Sequence, residues 1–241
     1  MSEDEGRRRR KVRSFVRRAG RLTAPQARAI EALWPSFGID PPQGMLDLDE
    51  AFDRSAPRTL EIGFGNGESL AALALRHPDR DYLGVEVHEP GIGHLLLAIE
   101  RLGLRNLRLI RHDAVEVVEG WLPDACMDEV LVFFPDPWPK KRHQKRRLIQ
   151  PAFLDSLARV MVPEGRLHLA TDWANYADAM LAACEASPWF DNATPGGGFS
   201  PRPSARQLTR FERRGLRLGH EVFDLACRRN DRQAGPPPRH I

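Results

Sequence analysis

The sequence predicts an α/β fold: a mostly parallel, doubly wound sheet of about seven strands whose last strand runs antiparallel. Three observations predict it. Short apolar runs alternate with helical segments of roughly 10–15 residues, the spacing of βαβ units with right-handed crossovers. The first run ends in a glycine-rich turn, Gly63-Phe-Gly65-Asn-Gly67, directly before a helical pattern. The last run, His220–Cys227, follows turn-forming Gly215 and Gly219 with no crossover helix, so it pairs antiparallel.

The elements follow in order. Strand Thr59–Ile62 leads through the glycine turn into a helix over 67–76, broken at His77-Pro78. Strand Tyr82–Val87 precedes helix Gly91–Leu102, closed by Gly103. Strand Leu107–Ile110, helix Ala114–Trp121 and strand Glu129–Phe134 come next. A long helix from about Lys145 to Met161 is expected to stop at Pro163-Glu-Gly165, before strand Arg166–Thr171 and helix Trp173–Ala186. Pro188–Arg206, rich in Pro, Gly and Ser, reads as a surface loop. The expected organisation is a basic, disordered segment over 1–21, a helix (Ala24–Leu33) and Pro-rich lead-in over 22–57, one domain over 58–230, and a flexible tail over 231–241.

At 241 residues the chain can bury one sizeable core, and its 41% hydrophobic and 29% charged residues are ordinary for a soluble globular protein. No apolar run approaches the roughly 18 residues of a membrane span. The first residues, Ser-Glu-Asp-Glu-Gly and then Arg7–Arg10, lack the apolar stretch of a secretory signal. Cys126, Cys184 and Cys227 are odd in number and far apart, as reduced thiols of a cytoplasmic protein are. They and the histidines show no ligand spacing, so no metal is expected.

Net charge is +3, yet residues 1–21 hold nine Lys/Arg against three acids, +6, which leaves the remainder at −3. Further cations cluster at 140–147 and 202–217. Patches of this kind on a near-neutral body form a footprint for a polyanion. The densest patch follows Phe134-Pro-Asp136-Pro-Trp138-Pro, which sets one carboxylate between two aromatics beside the cations. A nucleic-acid base held for chemistry needs edge contacts, a stacking face and a backbone anchor. An ordinary strand exit and solvated basic helix fit the same residues.

The glycine turn is of the nucleotide-binding type, but its spacing is G-x-G-x-G. A dinucleotide fingerprint would need glycine where Glu68 stands. Glu61, two residues before Gly63, would repel a pyrophosphate and attract the ammonium of a methionine-like tail. That contrast favours S-adenosyl-L-methionine over NAD. Glu86, at the end of the second strand, occupies the place of an acid that accepts ribose hydroxyls. Asp113, after the third strand, can accept from the adenine amino group. Each acid also fits a plain role: Glu61 in a surface pair, Glu86 at a solvated strand end, Asp113 as a helix N-cap. Three acids at three successive strand ends fit a cofactor edge better than coincidence.

At these residues the chain resembles the bacterial tRNA (guanine-N7)-methyltransferases. The resemblance rests on Arg13-Ser-Phe-Val-Arg17, Arg21-Leu-Thr23, Leu60–Gly67, Gly84–His88, Phe133–Arg147, Ala170–Trp173, Thr209–Gly215 and Leu218–His220, from about residue 12 to 228. It implies a Rossmann-like class I methyltransferase fold, S-adenosyl-L-methionine as cofactor and tRNA as partner, methylated at the variable-loop guanine at position forty-six. It also implies no membrane partner and a monomer or homodimer. The cofactor-binding residues it implies are Glu61, Gly63, Gly65, Gly67, Glu86, Asp113 and Asp136, with Asp136 also catalytic. Lys140, Asp172, Thr209, Arg210, Phe211 and Glu212 match the substrate-binding positions. Arg142, His143, Gln144, Lys145, Arg146 and Arg147 match the RNA-binding segment. Arg210 stands where the family usually has lysine, a planar fork in place of a compact ammonium. A class I methyltransferase acting on another RNA, and an RNA-binding protein without cofactor use, remain alternatives.

Guanine N7 has a free lone pair at neutral pH, so the expected task of Asp136 is to orient the base or balance the sulfonium, more than to remove a proton. Trp138 or Phe134 can stack on the base or only pack the loop. Thr209 and Glu212 can close the pocket, or form a capping box at i and i+3.

Overall fold

The computed structural model describes residues 14–15, 20–203, 212 and 221–231. It contains helix α1 (Ala24–Phe37), strand β1 (Gly38–Ile39), α2 (Leu48–Phe52), β2 (Arg58–Ile62), α3 (Glu68–Arg76), β3 (Asp81–Val85), α4 (Glu89–Leu102) and β4 (Leu107–Ile110). There follow α5 (Ala114–Gly120), β5 (Met127–Phe133), a 3-10 helix (Lys141–Arg146), α6 (Pro151–Val160), β6 (Met161–Thr171), α7 (Ala174–Ala186), β7 (Phe190–Asn192) and β8 (Phe223–Arg229).

The sheet runs β1-β4-β3-β2-β5-β6-β8-β7. Its first six strands pair parallel, and β8 pairs antiparallel with both β6 and β7. The expected parallel sheet with an antiparallel last strand is therefore present, with eight strands where about seven were expected. Six of the eight correspond to the apolar runs read from the sequence; the other two, β1 and β7, are two and three residues long, too short to leave a period. Chain order reverses between β2 and β5, and the carboxyl ends of strands flanking such a reversal open a crevice for ligands. β2 is buried at four of its five positions and β3 at all five, as strands covered on both faces must be.

One face packs Leu70, Ile92, Leu95 and Leu96 of α3 and α4 with Ala29 of α1. The other packs Val117, Phe153, Leu157, Tyr176 and Met180 of α5, α6 and α7. The capping box at Thr23 starts α1, where Gln26 closes the reciprocal bond. The helix continues past the expected Leu33 to Phe37 although Pro35 lies inside its last turn.

The long helix expected from Lys145 is two elements. Gln150 is extended (φ −143°, ψ 161°) because it precedes Pro151, whose ring disfavours the helical region for its neighbour. The 3-10 turn therefore ends at Arg146, and α6 begins afresh with Pro151 in its first turn. β6 also starts earlier than Arg166, at Met161, with an irregular register opposite Met127 and Glu129. Among the described residues, no helix is long and apolar enough to cross a membrane.

Candidate active site

The carboxyl ends of β2, β3 and β5 open into two adjoining cavities of about 930 and about 320 Å³. Both are lined by Gly63, Glu86 and Phe133–Asp136, so they form one continuous cleft. Its size is that of a site for a drug-sized ligand.

One bank is the turn between β2 and α3. Gly63, Gly65 and Gly67 take φ values of 74°, 59° and 73°, a region that costs a residue with a Cβ about 1–2 kcal/mol. The start of α4 presses on this turn: a Cβ at Gly91 would lie 2.1 Å from the Gly65 carbonyl oxygen. His94 Nδ1 lies 2.9 Å from the Asn66 carbonyl oxygen, a second hold from the same helix. Glu86 binds the turn from the side, accepting from Gly65 N at 2.9 Å through Oε2. Its Oε1 accepts from Val87 N at 2.6 Å and His88 N at 2.9 Å. A carboxylate has about four acceptor sites, so Glu86 retains capacity for about one more bond, fewer than the two expected from ribose hydroxyls.

Glu61 is 3% exposed in this bank. Its Oε2 has no hydrogen-bond partner, and neither has Ser69 Oγ in the first turn of α3. Burial first, and the Glu86 charge second, push the Glu61 carboxyl from its ordinary 4.5 up to about 8. A buried carboxyl in this condition is completed by a ligand that brings a cation. The first turn of α3 has no side-chain cap, which leaves its amides for an anion. Asp113 caps α5 by accepting from Val115 N at 3.0 Å. Its neighbours His112 and Ala114 line the smaller cavity, so the N-cap role coincides with a place at the cleft's edge.

The other bank follows β5. Phe134 and Trp138 both have left-handed backbones, at φ 53° and 44°, and enclose the half-buried Asp136. Phe134 lines both cavities; its amide donates to Ala170 O at 2.8 Å. Trp138 is turned to other partners: its Nε1 donates to Ser14 O at 3.0 Å, and the Arg146 guanidinium lies 4.9 Å from its ring. Asp172 and Trp173, at the exit of β6, line the larger cavity. Trp173 is 41% exposed there, an aromatic face at the cleft that sequence reasoning took as a helix start and as the end of the Ala170–Trp173 match, not as a stacking surface. Its signal was its place directly after Asp172 at a strand end. Ser69 was likewise missed, although it follows the glycine turn by two residues.

Beyond this bank the 3-10 helix displays cations. Lys140, Lys141, Arg142, Lys145 and Arg146 are exposed, and His143 and Gln144 half-exposed. Desolvation, followed by the Arg142, Arg146, Lys140 and Lys145 charges, lowers the His143 pKa below its ordinary value. Arg147 differs, being 6% exposed. Glu212 is 2% exposed, whereas Thr209, Arg210 and Phe211 lie outside the described residues, as do Arg13, Arg17 and the tail beyond 231. Cys126 is pushed up to about 12, chiefly by burial, and is an inert thiol at neutral pH. Among the described residues, no cluster of three His, Cys, Asp or Glu could hold a metal ion.

A family model described as "Putative methyltransferase" matches residues 55–225. The chain is 58% identical over 227 residues to a tRNA (guanine-N(7)-)-methyltransferase of Halorhodospira halophila, covering 94% of this chain and 98% of that one. The protein of the same description from Leifsonia xyli is 57% identical over 216 residues, 90% of this chain and 95% of its own. Among solved structures, the 16S rRNA methyltransferase KamB superposes with a TM-score of 0.54 at 18% identity, covering 78% of this chain and 95% of that one. An antibiotic-related methyltransferase gives 0.54 at 16% identity, over 80% and 97%. At such identities the likeness is one of fold.

Proposed function

The chain belongs to the tRNA (guanine-N(7)-)-methyltransferase family, and on that premise we propose that it methylates guanine N7 in tRNA, at the variable-loop position forty-six, using S-adenosyl-L-methionine. The observation that carries this reading is the cleft's asymmetry. A buried carboxyl with an unpartnered oxygen stands on one bank, and Asp136 beside an exposed cationic helix on the other.

The residues present fit the cofactor. Glu61 Oε2, which lacks a partner, would hold the ammonium of its amino-acid end, and Ser69 Oγ with the uncapped first turn of α3 would hold the carboxylate. Glu86 and Asp113 stand at the strand ends where ribose and adenine would lie. When bound, the cofactor supplies a methyl group on a positively charged sulfur.

N7 attacks with a lone pair and loses no proton, so Asp136 serves as an acceptor for guanine N–H groups and holds N7 in line. A carboxylate lining the cleft would also balance the positive charge that moves during transfer. Trp173 offers a face for stacking at the rim, with Asp172 beside it. Lys140 and the exposed cations of the 3-10 helix take the phosphate backbone. The enzyme works in the cytoplasm as a monomer or homodimer.

Incubation with an unmodified tRNA transcript and methyl-labelled S-adenosyl-L-methionine tests the proposal. Digestion should release label as 7-methylguanosine, and a transcript with adenine at that position should take up none. Label in any other nucleoside, or equal labelling of both transcripts, would overturn it.

A further inference from the structure

Six cations lie between Lys140 and Arg147, and the structure separates one of them from the rest. Five are exposed, while Arg147 is 6% exposed and turned inward. Its Nε donates to the carbonyl oxygen of Pro137 at 2.9 Å, the residue directly after Asp136. Its guanidinium donates to Asn175 Oδ1 at 2.8 Å and more weakly to Asn175 O at 3.4 Å. The same plane lies 4.7 Å from the centre of the Tyr176 ring. Tyr176 is buried, and its hydroxyl accepts from Ile149 N at 3.0 Å.

We propose that Arg147 is a positioning residue for methyl transfer, which fastens the Asp136 loop to the start of α7 and does not contact RNA. This rests on the proposed function. The loop needs such a fastening for two reasons. Phe134 and Trp138 hold left-handed backbones, which relax if the ends are released. Pro135, Pro137 and Pro139 have no N–H, so the segment has few backbone bonds of its own. A guanidinium spans two acceptors with one rigid fork, which an ammonium cannot do.

The anchor also registers two parts of the cleft. Asn175 lies three residues beyond Asp172, so Arg147 sets the distance between the Asp136 loop and the Asp172 strand end. Gln144 Nε2 donates to Asn175 Oδ1 at 3.2 Å, which brings the exposed cationic turn onto the same support. Tension on that turn from bound tRNA would thereby reach the loop that holds Asp136.

The test uses Arg147→Lys and Asn175→Ala in the full chain. Single-turnover methylation at saturating tRNA should slow roughly ten- to hundredfold in Arg147→Lys, the scale of a small misplacement of a reacting group. Its tRNA Kd and the salt dependence of that Kd should match wild type, because the charge is kept and lies off the RNA. Asn175→Ala, at an exposed residue in the first turn of α7, should slow the same step. The double variant should lose less than the product of the two losses. Normal single-turnover rates with weakened tRNA binding and a shallower salt slope in Arg147→Lys would make it a phosphate contact and overturn the proposal. Should that variant not fold, an unchanged rate in Asn175→Ala would overturn it instead. If wild type does not methylate tRNA, the functional reading fails separately. Hydrogen exchange at Phe134, Asp136 and Trp138 then decides, faster in Asn175→Ala if the anchor holds the loop and unchanged if it does not.

Discussion

Gly63, Gly65 and Gly67 turn one bank of the cleft at positive φ with no Cβ to clash, whereas Phe134 and Trp138 turn the opposite bank at φ 53° and 44° with full side chains. The glycine bank is shaped by backbone and held by the elements packed beside it: Glu86 on Gly65 N, and α4 against the Gly65 carbonyl. The Asp136 bank carries about 1–2 kcal/mol of strain at each left-handed residue. It depends on partners from three other segments of the chain: Ala170, Arg147 and Ser14. A self-supporting bank suits a cofactor met in one pose. A tethered bank suits a macromolecular substrate, because its tethers also reach the surface that the substrate grips.

The largest way to break this contrast is Gly91→Val. Its Cβ would press into the Gly65 carbonyl, so stability should fall by about 3 kcal/mol in denaturant unfolding, with cofactor binding lost in calorimetry. Near-normal values for both would mean that the glycine bank gives way as easily as the other.

Glu61→Gln sharpens the same side. In wild type the folded carboxyl titrates near 8 and the unfolded one at its ordinary 4.5. The folded state therefore holds a proton that the unfolded chain has released. This contribution to stability is full below the ordinary value and declines as pH rises through about 8. The variant should show no such decline. A cationic amino group selects the ionised carboxylate, so wild-type binding at about pH 7 should release a proton. Affinity should rise from about pH 5.5 to 7, below the α-amino range of about 7.7–8.0. Glu61→Gln should weaken binding by about 1.5–3 kcal/mol and abolish the proton release, which calorimetry in buffers of different ionisation enthalpy reads directly.

A smaller and purely electrostatic effect is expected on the other bank. Neutralising Arg142, Lys145 and Arg146 should make the salt dependence of tRNA binding shallower by roughly one unit per lost contact, with cofactor affinity unchanged. An unaltered slope would leave these residues as a solvated turn.

Legibility from sequence divides along the same line. The succession of strands and helices, the glycine turn and the acids at strand ends were readable because local patterns determine them: apolar period, glycine at left-handed positions, a carboxylate after a strand. The antiparallel last strand was readable from the missing crossover. Arg147 was not distinguishable from Arg146 beside it, because burial of one guanidinium depends on Asn175, 28 residues away. Trp138 looked available for stacking, until its Nε1 met the Ser14 carbonyl across 124 residues. The break before α6 was readable from Pro151 and was missed, since the cationic run looked like a continuous helical face.

The role of Asp136 is tested most directly by single-turnover methylation at saturating tRNA in Asp136→Asn and Asp136→Ala, across pH. Asparagine keeps the shape and one acceptor oxygen, so an orienting Asp136 predicts measurable turnover in Asp136→Asn and a much larger loss in Asp136→Ala. The wild-type rate should show no carboxylate-like acidic limb, because N7 gives up no proton. Equal, near-total losses in both variants, together with an acidic limb in wild type, would contradict the account.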